Sequence, residues 1–337
     1  MKESGEKRAT VSFYKYFHLA NPSGFRDKLY LAWSGLGVLG RVNVAKEGIN
    51  AQISIPKKNL DQFKQLLERS SDDSRSSDGF INLKGICLNY AVDDDGKSFF
   101  KLKIKVRDKI LADGLNDETF DVTDVGKHLN AEQFNQLTDD PETVLIDMRN
   151  HYESEVGHFE GAILPDSDTF RDELKLVEKM LDGKEEKNIV MYCTGGIRCE
   201  KASAWFKHKG FQHVHQLEGG IINYARQVEA QGLKNKFRGK NFVFDERLGE
   251  KISDEVISHC HQCGKPCHTH TNCLNEACHL LFIQCEECAI KYEGCCSDEC
   301  REFIRLPDEC QRQLRKGAKK SRNVFRKGRV KHLVQKI

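Results

Sequence analysis

Residues 190–202 read Val-Met-Tyr-Cys-Thr-Gly-Gly-Ile-Arg-Cys-Glu-Lys-Ala, an apolar strand running into a cysteine, a glycine pair and an arginine before a helix-forming segment. This order suits a reactive thiolate at Cys193. Gly195 and Gly196 let the backbone curl, so that the N–H groups of Thr194, Gly195, Gly196, Ile197 and Arg198 can converge on an anion. The charge of Arg198 and the positive end of the following helix lower the thiol pKa. Cys199 is either a resolving thiol for Cys193 or a core residue on the first helical turn. The competing reading is a buried packing cysteine, which needs neither the glycine pair nor the arginine.

Ten of the fourteen cysteines crowd into residues 260–300. Cys260-x2-Cys263 and Cys285-x2-Cys288 are two C-x2-C pairs at the spacing of structural zinc, so these four are the first-choice ligands. Cys267, Cys273, Cys278, Cys295, Cys296 and Cys300, with His261, His268, His270 and His279, supply enough donors for a second ion. Disulfides, an iron–sulfur cluster and free thiols are the alternatives. A region so poor in large apolar residues needs some cross-link to fold.

The net charge of +2 hides an asymmetry: residues 311–337 carry eleven Lys and Arg and no acidic residue, leaving the other 310 residues at −9. A basic tail on an acidic body is the footprint of nucleic-acid contact, or else a solubilising tail. A second basic feature is the strict alternation over 99–110. There Lys101, Lys103, Lys105 and Arg107 share one face while Leu102, Ile104 and Val106 share the other. Such a stripe can track a phosphate backbone or be a solvated strand face. No run approaches the ~18 apolar residues of a membrane helix, and the first residues lack a signal-peptide pattern, so a non-membrane, cytoplasmic protein is expected. No Walker or G-x-G-x-x-G motif argues for a nucleotide or flavin.

These groups need elements to position them. Residues 10–17 read as a strand, and 22–36 as a helix capped by Asn21 with Pro22 at its first position. Strands at 40–46 and 50–55, a helix at 56–68, a mobile Ser/Asp-rich loop at 70–79 and the 99–110 strand complete a β-α-β-β-α-β order, that of a ferredoxin-like sandwich. The aromatic run Phe13, Tyr14, Tyr16 and Phe17 suits either the core or base stacking. From about 141, short apolar strands alternate with helices, the pattern of an α/β domain with a parallel sheet. Cys193 then falls where a strand ends and a helix begins, the usual ligand position of such folds.

The Cys193 loop resembles the active-site loop of rhodanese-like domains, in which a cysteine carries a reactive sulfur. Residues 144–149 (V-L-I-D-M-R) resemble the strand ending in D-x-R, 157–162 (G-H-F-E-G-A) the G-H-I-x-G-A turn, and 218–221 (E-G-G-I) the segment after the last strand. Four further segments extend the likeness: 12–18 (S-F-Y-K-Y-F-H), 47–54 (E-G-I-N-A-Q-I-S), 240–247 (K-N-F-V-F-D-E-R) and 259–264 (H-C-H-Q-C-G). With them, most of residues 10–300 is similar to the bacterial rhodanese-like tRNA uridine hydroxylases.

The resemblance implies a ferredoxin/acylphosphatase-like α+β domain (1–110), a rhodanese-like domain (136–235) and a Cys-rich module (236–310); Gly114, Asn116 and Asp117 open an expected linker (111–135), and the basic tail (311–337), to which the likeness does not extend, is expected to be disordered. It also implies oxygen-dependent hydroxylation of wobble uridine 34, with the tRNA anticodon loop as partner and an electron donor that the sequence does not identify. In that reaction, addition of a Cys193 thiolate to C6 of uracil would make C5 electron-rich enough to take oxygen. The alternatives are a thiosulfate or persulfide sulfurtransferase, and a non-catalytic RNA-binding protein.

Overall fold

The computed structural model describes residues 6–68, 83–92, 98–117, 119–316 and 327–333. The expected loop at 70–79 lies outside them.

The first layer comprises β1 (Arg8–Tyr16), α1 (Pro22–Gly35), β2 (Leu39–Ala45), β3 (Gly48–Pro56), α2 (Leu60–Glu68), β4 (Asn89–Tyr90) and β5 (Leu102–Val106). Asn21 caps α1 as expected, its side-chain oxygen accepting from the Gly24 N–H at 2.9 Å. The sheet order is β4-β1-β3-β2-β5. The ferredoxin order is therefore closed by the two-residue β4, and the basic run forms a fifth strand, parallel to β2 at the opposite edge. Alternation reveals a half-buried strand but not its neighbour, and β4 is too short to leave a periodic signal.

Alternation also divides the sheet into two faces. Val11, Phe13, Val42, Val44, Ile49, Ala51 and Ile53 pack on Phe25, Leu29 and Trp33 of α1 and Phe63 of α2. Pairing register lines up the opposite, polar face as two cross-strand rows: Asn89–Ser12–Gln52–Arg41–Lys103 and Tyr14–Asn50–Asn43–Lys105. Phe13 and Phe17 thus join the core, and Tyr14 lies on the polar side.

The second layer runs β6 (Lys127–Leu129), α3 (Ala131–Leu137), β7 (Val144–Asp147), α4 (His151–Ser154), β8 (Gly157–Phe159), α5 (Phe170–Met180), β9 (Asn188–Tyr192), α6 (Ile197–His208), β10 (His213–Leu217) and α7 (Gly220–Gln231). A parallel sheet, β6-β10-β9-β7, has α5 and α6 packed on one face and α3 and α7 on the other. Residues 111–135, expected as linker, already contain β6 and the start of α3. The strand Lys-His-Leu has no apolar run to betray it and lies at the sheet edge.

The Cys-rich part holds β11 (Phe237–Asn241), β12 (Glu250–Lys251), β13 (His270–Asn272), β14 (Leu281–Ile283), α8 (Glu286–Lys291), α9 (Asp298–Ile304) and α10 (Asp308–Arg315). β11 pairs with β8 and ties the module to the α/β domain. Part of the tail is ordered, contrary to expectation: Val330 and Leu333 are buried against Leu280 and Phe282, and Arg329 pairs with Asp166. These two apolar side chains, spaced among the cations, give residues 327–333 something to bury.

The polar face of the first sheet closes over the α/β domain. Lys201 of α6, only 1% exposed, is held by Asp113 at 2.6 Å and Glu47 at 2.9 Å. Removing one member of so buried a set strands the other charges, at a cost of about 3–5 kcal/mol. Arg226 donates to the carbonyls of Tyr90 and Ala91, and Asn89 Nδ2 to the Gly195 carbonyl at 3.1 Å. The last bond brings the first domain onto the cysteine loop.

Candidate active site

The loop between β9 and α6 is shaped by its glycines. Gly196 has φ +97°, and a Cβ there would stand 2.8 Å from Tyr14 Oη. Gly220 has φ +66°, and its Cβ would lie 2.4 Å from the Cys193 carbonyl oxygen. That close approach lets the Ile221 N–H donate to the Cys193 carbonyl at 3.0 Å and the Ile222 N–H to the Thr194 carbonyl at 3.3 Å. The E-G-G-I segment therefore holds the loop from behind. The D-x-R segment is a brace as well: Arg149, fully buried, grips Asp147 through Nε (2.8 Å) and Nη2 (2.6 Å) and donates to the Gly157 carbonyl at 2.6 Å.

Cys193 is buried at the floor of the loop, with the Gly196 N–H 3.2 Å from Sγ. Burial alone pushes its thiol pKa up. The Cys199 thiol, the Arg198 charge and the N–H groups of Cys199 and Arg198 override that and bring it down to about 6. Cys199 is itself fully buried on the first turn of α6, and burial together with Cys193 pushes its pKa well above the ordinary value. Its place is a core position on the first helical turn.

Glu153 carries no sequence signal, yet it holds Arg198 in a bidentate pair at 2.6 and 2.8 Å, both groups buried. The pair fixes the guanidinium beside the sulfur and offsets its charge. A second carboxyl, Glu173 of α5, is fully buried, and burial near Asp147, Glu153 and Cys193 outweighs Arg198 and pushes its pKa well up. Tyr14 Oη donates to Glu200 at 3.1 Å, and His128 Nε2 lies 3.0 Å from the same carboxylate oxygen.

A cavity of about 330 Å³ opens over the cysteine. Cys193, Thr194, Gly195, Ile197 and Arg198 line one wall, Ser12, Tyr14, Asn50, Gln52 and Asn89 the facing sheet, and Phe244 with Arg247 a third side. Lys103 and Lys105 extend the same sheet face outward, flanked in sequence by Lys101 and Arg107. Their mutual repulsion is strong enough that Lys103 and Arg107 lower the pKa of Lys105.

The cysteines form two groups of four: Cys260, Cys263, Cys285 and Cys288, then Cys273, Cys278, Cys296 and Cys300. In each, the sulfurs lie within 4.8 Å of one another, with separations of 3.6 Å (Cys263–Cys285), 3.7 Å (Cys278–Cys296) and 3.8 Å (Cys296–Cys300). A tetrahedron with ~2.3 Å metal–sulfur bonds has edges of about 3.8 Å. The groups therefore fit one ion each, more tightly than an iron–sulfur cluster spans. Cys267 and Cys295 belong to neither group.

Three family profiles match between residues 8 and 301: the UPF0176 acylphosphatase like domain at 8–110, the rhodanese-like domain at 130–227 and the rhodanase C-terminal region at 238–301. A protein of Photorhabdus laumondii named tRNA uridine(34) hydroxylase is 58% identical, covering 96% of this chain and 90% of its own length. Its namesake in Leptospira interrogans is 53% identical over 100% of this chain and 89% of its own. This chain belongs to the tRNA uridine(34) hydroxylase family. Another namesake within the family, from Pectobacterium carotovorum, is 56% identical over 96% of this chain and 89% of its own. The rhodanese-like domain of an Anabaena protein overlaps 33% of this chain and 78% of that structure at 21% identity, with a TM-score of 0.27.

The lowered Cys193 pKa sets a testable profile. Alkylation of Cys193 by iodoacetamide should rise through a midpoint near pH 6, where a free cysteine would need ~8.5. Cys199→Ala should slow alkylation at pH 6 by about fivefold, because it removes a neighbouring thiol that helps lower the Cys193 pKa. A variant profile that overlays the wild type removes Cys199 from that role.

Proposed function

We propose that this chain hydroxylates C5 of uridine 34 in tRNA, with Cys193 as the nucleophile that activates the base. One observation carries the chemistry: a thiol whose pKa is lowered to about 6 lies at the floor of a base-sized cavity whose opposite wall continues into a cationic strand. The family supplies the substrate, since the relatives bear the name tRNA uridine(34) hydroxylase across nearly the whole length of this chain.

In the mechanism, Cys193 Sγ bonds to C6 of uracil, and the electron pair of the C5=C6 bond moves toward C5 and O4. Carbon 5 then takes one atom of molecular oxygen. Loss of its proton and expulsion of Cys193 restore the ring. The second oxygen atom leaves as water, which consumes two electrons and two protons from an external donor. The Gly196, Arg198 and Cys199 N–H groups stabilise the sulfur as it arrives and departs as an anion. Lys101, Lys103, Lys105 and Arg107 hold backbone phosphates beside the cavity. A plain sulfurtransferase would need neither this roof nor this strand.

Zinc is the ion that two buried-to-exposed sets of four thiolates suit best, as a cross-link for a module with a small apolar core. No catalytic step passes through it. No helix among the described residues is long and apolar enough to cross a membrane. A cytoplasmic setting, where tRNA is found and thiols stay reduced, is part of this proposal.

Nucleoside mass spectrometry of tRNA from cells lacking other routes to 5-hydroxyuridine tests the reading. The nucleoside should appear with the intact protein and fall at least a hundredfold with Cys193→Ser; equal levels from both would overturn the role of Cys193. Metal analysis of the purified protein should give two zinc ions per chain, and strong chelation should lower the melting temperature by several degrees. A protein free of metal and equally stable would contradict the cross-link.

A further inference from the structure

The E-G-I-N-A-Q segment is left unexplained by the cysteine chemistry, and the structure gives it a job. Glu47 clamps Lys201, and its Oε1 accepts the Ile110 N–H at 2.8 Å. Asn50 takes the other side of the same residue: its Nδ2 donates to the Ile110 carbonyl at 3.5 Å. Two positions along β3, Gln52 Nε2 donates to Asn50 Oδ1 at 2.7 Å.

This chain of amides has a fixed direction. A backbone carbonyl can only accept, so Asn50 must present Nδ2 to Ile110 and Oδ1 to Gln52. Gln52 must then present Nε2 to Asn50, which leaves Oε1 as its outward group. That oxygen has no hydrogen-bond partner among the described residues, and Gln52 and Asn50 both line the cavity that holds Cys193. An amide that is free to flip reads uracil and cytosine alike. One whose direction is set by a carbonyl keeps its acceptor oxygen outward.

We infer that Gln52, oriented by Asn50, is the base-selecting residue of this site and accepts the N3–H of uracil. The inference rests on the uridine hydroxylase reading and deepens it by naming the atom recognised. Uracil carries a hydrogen at N3 and cytosine a lone pair, so cytosine would set two acceptors against each other. The placement agrees with the sheet: Gln52 stands in one cross-strand row with Arg41 and Lys103, which extend toward the cationic edge. A backbone held on that edge can turn its base along the row into the cavity.

The test is a two-by-two comparison that needs no electron donor. Full-length tRNA is assembled by ligation with either uridine or cytidine at position 34; cytidine keeps the ring and presents a lone pair where uracil carries N3–H. Affinities of the full-length protein and its Gln52→Leu variant are measured for both. The wild type should prefer uridine by roughly tenfold, the scale of one lost recognition bond in a buried site, and the variant should show little preference. Cys193 alkylation at the wild-type rate certifies the variant's fold, with Gln52→Ala as the replacement if it does not. An equal preference in wild type and variant, or no preference in the wild type, overturns the inference and leaves the hydroxylase reading standing. Failure of the wild type to bind either tRNA would instead bring down the reading and the inference together.

Discussion

A thiol made acidic inside a protein core is the constraint on which this structure turns. Water cannot stabilise Cys193, so the backbone must, and N–H groups converge on one atom only if the chain curls tightly between β9 and α6. That curl demands the left-handed Gly196 and the close passage of Gly220 behind the Cys193 carbonyl. The charge of Arg198 would be costly to bury alone, and Glu153 offsets it at 2.6 Å. Cys199 completes the shell by keeping its proton.

The same constraint accounts for the neighbouring domain. A buried thiolate reaches a large substrate only through a shaped opening, and the polar face of the first sheet forms one side of that opening. The Lys201–Asp113–Glu47 set and the Asn89–Gly195 bond fasten that face to the loop. One surface thereby presents cations at its edge, amides at its centre and the sulfur across the cavity. The Cys-rich module closes the third side, through Phe244 and Arg247 of the segment between β11 and β12.

What could be read from the sequence was what local geometry dictates. A glycine pair after a cysteine at a strand end is a backbone requirement, and it survives in any context. The group Cys260, Cys263, Cys285 and Cys288 was legible from its two C-x2-C pairs. The second group, Cys273, Cys278, Cys296 and Cys300, has irregular spacings and could only be offered among other donors. Glu153 and Asn89 join the site through tertiary packing, and nothing in their neighbours announces it; Gln52 lies in the 47–54 segment, whose likeness to the family gave it no role. β4 and β6 were missed because two- and three-residue edge strands carry no periodicity. The tail was expected to stay loose on charge alone, and Val330 and Leu333 decided otherwise for residues 327–333.

The central claim is that Cys193 bonds to the base. Incubation with tRNA carrying 5-fluorouridine at position 34, followed by mass spectrometry of the digested protein, tests it directly. Fluorine at C5 cannot leave as the proton does, so the C6–sulfur bond should persist. The account predicts an RNA adduct mapped to Cys193 and absent from Cys193→Ser. A protein that forms 5-hydroxyuridine yet never yields that adduct would contradict it.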